Sequence, residues 1–142
     1  MTGKSILDQA KAYLCWDIFR NMNIQLVGIQ SDAAYFFPPR KDDATIVVFY
    51  RDGNEDMSRP LFLLFHEAGH WVQFAEYRER GREKEFYHII NSPTGTDRYC
   101  FEKQAWAEGG ILLRDFAEKH HLPVEWLDRF DRYAEESLAS YQ

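Results

Sequence analysis

The sequence predicts an α+β fold, in which a small antiparallel three-stranded sheet packs on one buried helix and further helices follow toward the C-terminus. Three observations predict it. Three short runs rich in β-branched and aromatic residues, Ile24 to Ile29, Ala33 to Phe37 and Thr45 to Tyr50, follow one another with polar or proline-containing turns between them. Arg59 to about Arg78 then reads LFLLF and WVQFA, apolar on almost every side in its first half and too long for a strand. Two later segments place apolar residues at helical spacing.

Ser5 and Asp8 resemble an N-cap signature, and Ile6, Ala10, Tyr13, Leu14 and Ile18 recur behind them, so a first helix is expected from about Ile6 to Asn21. Short connections between the three strands favour antiparallel pairing. The polar loop Asp52 to Met57 leads into the second helix, for which Ser58 supplies the cap and Pro60 the first-turn proline. Tyr77 to Glu85 alternates charge sign, the pattern of a solvated helical face, and Gly81 to Thr96 reads as an irregular loop. A third helix is expected from about Asp97 to His120. Leu122 and Pro123 start a fourth, with Trp126, Leu127, Phe130, Tyr133, Ala134 and Leu138 as its buried stripe.

The 142 residues suffice for one domain with a proper core, and 45% hydrophobic with 28% charged residues is the composition of a globular protein. A net charge of −6 and a pI near 5.3 argue against nucleic acid as a partner, since phosphate binding needs a surplus of Lys and Arg. The N-terminal segment is interrupted by Asp8, Gln9, Lys11 and Asp17, and no apolar run approaches the roughly 20 residues of a membrane span. Cys15 and Cys100 form no CxxC and are expected as two buried free thiols. These features together predict a cytoplasmic protein with no membrane partner; they leave the oligomeric state open.

The chemistry is concentrated in the run HEAGH. His66 and His70 stand four residues apart, so on a helix their imidazoles lie about 40° apart around the axis and one turn along it, able to share one ion. Glu67 leaves the helix at a neighbouring angle, from which it can act as general base without being a ligand. Two core histidines bonded to ordinary acceptors are the blander reading. It sits poorly with two His and a Glu inside a helix that is otherwise so apolar.

A catalytic zinc of this type wants a third protein ligand and one open position. One class takes it from a His six residues past the second. Here Gln73 and Glu76 occupy the corresponding Gly and His positions, and Glu76 on a continuing helix points about 240° away from His70. The other class takes a Glu from a later helix. Phe101, Ala105, Trp106, Gly109, Leu112, Leu113 and Phe116 form one apolar face of the third helix, and Glu102 falls near its middle. A carboxylate there needs a cation, which a zinc ion would provide; a buried Glu paired with Arg or with a backbone cap is the blander reading. His88, on the expected loop, and His120 and His121, at a helix end, are the competing ligands.

The order helix, sheet, TIVVFY strand, RPLFLLFHEAGH and then EKQAWAEGGILL resembles the ImmA/IrrE family of small bacterial and phage metallopeptidases, in the gluzincin group. The resemblance spans roughly Ile24 to Leu113. It implies a zincin-like fold, Zn2+ as cofactor, His66, His70 and Glu102 as metal ligands, and Glu67 as catalytic base. It also implies a peptide or protein substrate, in that family often a transcriptional repressor. The family usually has a small polar residue, often Asn, four after the third ligand, where this chain has Trp106. A contact orienting a metal histidine must then be absent or come from elsewhere. Tyr99 and His88 are the candidates for stabilising a developing oxyanion. The edge strand of the sheet could pair with an extended peptide. A zinc-binding or interaction protein without hydrolytic activity is the alternative from another class.

Overall fold

The computed structural model describes residues 4–93 and 95–141. Among these the elements are α1 (Lys4–Ala12), β1 (Met22–Ile29), β2 (Ala33–Phe37), β3 (Ala44–Arg51), α2 (Ser58–Glu79), α3 (Glu83–Ile90), α4 (Thr96–His120) and α5 (Glu125–Leu138). The fold class is mixed α+β. The chain groups into two compact units that divide between Ala68 and Gly69, inside α2, and the helix is unbroken across that point.

In the first unit Ile6, Leu7 and Ala10 bury one face of α1, and the helix continues as a π-helical segment, Tyr13–Ile18. The expected first helix therefore ends earlier than Asn21. Phe19 turns to extended geometry, its N–H bonded to the Leu14 carbonyl, and the widened turn leaves Trp16 on the surface, 86% exposed.

The sheet has the order β1-β3-β2. β2 pairs antiparallel with β3 as expected, but β1 pairs parallel with β3, so the sheet is mixed rather than antiparallel. β3 is central because it is the most regularly apolar strand, with Ala44, Ile46, Val48 and Tyr50 buried on one face. Gln30 to Asp32 carry the chain past the end of β3. That crossing is held by the Asp52 N–H on the Ile29 carbonyl, 3.0 Å, and by the Arg51 N–H on Asp32 Oδ1, 2.9 Å. The in-line register Met22 with Ala44 and Ile24 with Ile46 adds the β1 side chains to the buried face.

Ser58 is the first residue of α2 rather than its cap. The carboxylate that takes a free N–H at this end is that of Asp56, whose Oδ1 accepts from the Ser58 N–H at 3.1 Å. Leu61, Phe62, Leu64, Phe65 and Ala68 are buried, in keeping with the apolar first half of the helix.

The second unit contains the rest of α2 and the three later helices. Gly81, at φ 71°, interrupts the expected continuous charged helical face between Tyr77 and Glu85. The segment expected as a loop carries α3, whose one fully buried side chain, Phe86, meets Phe74, Tyr77 and Phe101 edge to face at centroid distances of 5.1, 5.9 and 5.2 Å. Part of the NSPTGT loop, Thr94, lies outside the described residues.

α4 buries Phe101, Glu102, Ala105, Trp106, Gly109, Leu113, Phe116 and Ala117, the expected apolar face with Glu102 in it. Trp106 packs against Phe130 and Tyr133 of α5. α2 and α4 come into backbone contact at Gly69, where a Cβ would stand 2.0 Å from the Ala105 carbonyl oxygen, so only glycine fits.

Both cysteines are free, but Cys15 is half-buried and Cys100 exposed, contrary to the expectation of two buried thiols. Burial pushes the Cys15 thiol up, against smaller opposing effects of the Lys11 charge and a backbone hydrogen bond from Ile24. Among the described residues no helix is long and apolar enough to cross a membrane.

Candidate metal centre

α2 brings His66 and His70 to one face because they stand four residues apart on an unbroken helix. α4 brings Glu102 to them because the glycine contact at Gly69 and Ala105 allows the two backbones to touch one residue before His70 and three after Glu102. The three side chains are 6%, 3% and 2% exposed, and their ligand atoms all lie within 4.8 Å of one another. His70 Nε2 is 3.2 Å from Glu102 Oε1. Ligands of a tetrahedral zinc with bonds of about 2.05 Å stand about 3.3 Å apart. The group could therefore hold a metal ion.

Hydrogen bonds define the state in which His70 and Glu102 are presented. Gln73, fully buried, donates from Nε2 to the Phe101 carbonyl at 2.8 Å and to Gln104 Oε1 at 3.1 Å. Its Oε1 is thereby turned to His70 Nδ1, 2.9 Å away, and an amide oxygen can only accept, so Nδ1 carries the proton. In the neutral ring Nε2 then presents a lone pair toward the Glu102 carboxylate, which is also an acceptor. Two acceptors at 3.2 Å need a proton or a cation between them. The donor set fits a metal on that ground. The other carboxylate oxygen, Glu102 Oε2, accepts from Arg98 Nε at 3.1 Å, which leaves Oε1 to the histidine side.

Glu67 is half-buried on α2, next to His66 in the chain. Tyr99 is half-buried on α4, three residues before Glu102. His88 lies exposed on α3 and not on a loop, and Glu76 is exposed. His121 is the left-handed C-cap of α4, at φ 56°, and His120 packs on Phe116. None of His88, His120 and His121 joins the group with His66, His70 and Glu102.

Sequence reasoning gave no role to Gln73 or Gly69, and it allowed an Arg partner for a buried Glu102 without naming Arg98, which is that partner. For Gln73 a signal existed: positions 66, 70 and 73 follow the i, i+4, i+7 spacing of one helical face. Trp106, the position at which the resemblance suggested looking for an orienting contact, faces α5 instead.

Comparison of the chain with protein-family models, with curated proteins and with solved structures returns no match.

Proposed function

We propose that the chain is a zinc-dependent peptidase of the ImmA/IrrE kind, cleaving peptide bonds in a protein, with Glu67 as base. The observation that carries the reading is the buried group of His66, His70 and Glu102, with Glu67 next to the first of them. Zinc in that group would supply a Lewis acid for the scissile carbonyl and a water acidic enough to lose a proton near neutrality. Glu67 leaves α2 about 100° round the axis from His66, off the ligand direction. Its carboxylate takes the proton from the attacking water and passes it to the leaving amine. Glu102 has one oxygen committed to Arg98, so it serves as ligand and not as a rival base. Tyr99, one turn before Glu102, is the proposed donor to the developing oxyanion. A closed structural zinc site would need four protein ligands, and among the described residues the group has three. That the substrate is a regulatory protein is what the resemblance implies.

Two histidines and one carboxylate also suit iron(II). Metal analysis of protein purified without chelators or a His-tag should find one zinc per chain, lost in His66→Ala and in His70→Ala. At matched zinc loading, Glu67→Gln should retain the metal and lower cleavage of unfolded protein probes by about 10²–10⁴-fold. Equal rates would leave a metal site without a hydrolase, and bound iron with no cleavage would replace the peptidase reading by oxygen chemistry.

A further inference from the structure

Gln73 carries no role in the hydrolysis just described, yet among the described residues it is the one buried side-chain amide, and it touches both His70 and the turn bearing Glu102. Its carbonyl oxygen faces His70 Nδ1, and its amino group spans to the Phe101 carbonyl, one residue before Glu102. Phe101 in turn lays its ring on the His70 imidazole, centroids 5.3 Å apart and planes 30° apart. The His70 ring is thus fixed in plane by Phe101 and in protonation pattern by Gln73. The same amide ties α2 to the ligand turn of α4.

An amide whose two ends were interchangeable could not do this. Were it flipped, its amino group would face Nδ1 and force the proton to Nε2, the atom that points at Glu102. Two acceptors, the Phe101 carbonyl and Gln104 Oε1, hold the amino group on the α4 side and forbid the flip.

We infer that Gln73 is a positioning residue for the metal: it locks His70 in the Nδ1–H form, leaving Nε2 as the ligand, and keeps Glu102 in register with it. This rests on the metal reading above. Residues of this kind act through the ligand they orient, and losing one typically weakens metal binding by about 10–100-fold. Gln73 fills, from the ligand helix itself, the place that Trp106 vacates.

Gln73→Met keeps length and volume and removes both hydrogen-bonding ends. Zinc affinity, measured by competition with a chromophoric chelator, should fall by about 10–100-fold. Nitrogen-15 NMR should show a slowly exchanging His70 Nδ1–H in the wild type, with or without zinc, that is lost or rapidly exchanging in the variant. An affinity within twofold of wild type, or a retained slowly exchanging Nδ1–H, overturns the proposal and reduces Gln73 to a satisfied core amide. A wild type that takes up no zinc defeats the metal reading and with it the positioning of a metal, while the His70 proton in metal-free protein still decides separately whether Gln73 sets the His70 tautomer. Should Gln73→Met fail to fold, the exposed Gln104→Ala decides in its place. Freed on one side, the amide should let the Nδ1–H exchange faster and weaken zinc several-fold, and no change in either overturns the claim.

Discussion

Arg98 with Glu102 on α4, and Arg82 with Glu85 at the start of α3, are two pairs of the same residues about a helical turn apart. In both, the guanidinium Nε donates to the carboxylate, at 3.1 and 3.0 Å. Their surroundings differ entirely. The side chains of the first pair are 14% and 2% exposed, and those of the second 49% and 53%. Water can replace either member of the outer pair, so that pair contributes little. The Glu102 carboxylate is closed off from water to within 2% of its surface, so losing Arg98 leaves it with little solvent to take its place. Arg98 is itself held by the carbonyls of Ile90 and Ser92, so the ion pair is built into the end of α3. The pairing motif therefore says nothing by itself about a site. What marks Glu102 is that Arg98 occupies one oxygen while the other lies 3.2 Å from His70 Nε2 in the same buried space.

The contrast is tested most severely by Arg98→Met. Removing one partner of a buried pair leaves the other charge uncompensated, at a cost of about 3–5 kcal/mol. Urea unfolding of metal-free protein should show a loss of that order. Added zinc should restore part of it, since a ligand at 100 times its Kd stabilises by about 2.7 kcal/mol. A variant as stable as wild type without metal would mean that Glu102 is held neutral, and the contrast with Glu85 would lose its basis.

Gly69→Ala should have the next largest effect. The added Cβ would meet the Ala105 carbonyl, backbone that cannot swing aside, so α2 and α4 must separate. Overpacking of this kind costs about 1–3 kcal/mol. The separation acts directly on the distance between His70 and Glu102, and zinc affinity by chelator competition should drop by about tenfold or more. An unchanged affinity would show that the helices can part at Gly69 without moving the ligands, which would detach Glu102 from the packing held to position it.

Much of the centre was legible because its signals are local. HEAGH fixes its own geometry once it is helical, and a single carboxylate in the stripe from Phe101 to Phe116 identifies itself by contrast. Arg98 and Gly69 were not legible. An Arg four residues before a Glu is ordinary on any helix, and a glycine inside a helix does not announce which backbone it touches. The sheet hid its parallel pair for a similar reason. The alternation of β3 is the same whichever way a neighbour runs, and only the crossing at Gln30 to Asp32 decides it. α3 was obscured because the charges around Gly81 outweigh its one fully buried anchor, Phe86.

The smallest effect belongs to the outer pair. The Arg82 hydrogen bond, with its charge adding, holds the Glu85 carboxyl below its ordinary value, against a modest opposing effect of desolvation. A carboxylate depressed in the folded state stabilises above its unfolded pKa, and the contribution is lost as pH falls through the folded value. Glu85→Gln should therefore lower the melting temperature slightly at pH 7. The difference from wild type should vanish in acid below the folded pKa of Glu85, and should shrink in high salt because exposed charges are screened within about 8–10 Å at ordinary ionic strength. Zinc affinity should be untouched, since the pair lies at the surface and donates nothing to a ligand. Paired melts of wild type and variant, at pH 7 and in acid and at low and high salt, give all of these comparisons. A loss at pH 7 equal to that of Arg98→Met would show that burial does not separate the two pairs, and the argument that singles out Glu102 from the other carboxylates would fail with it.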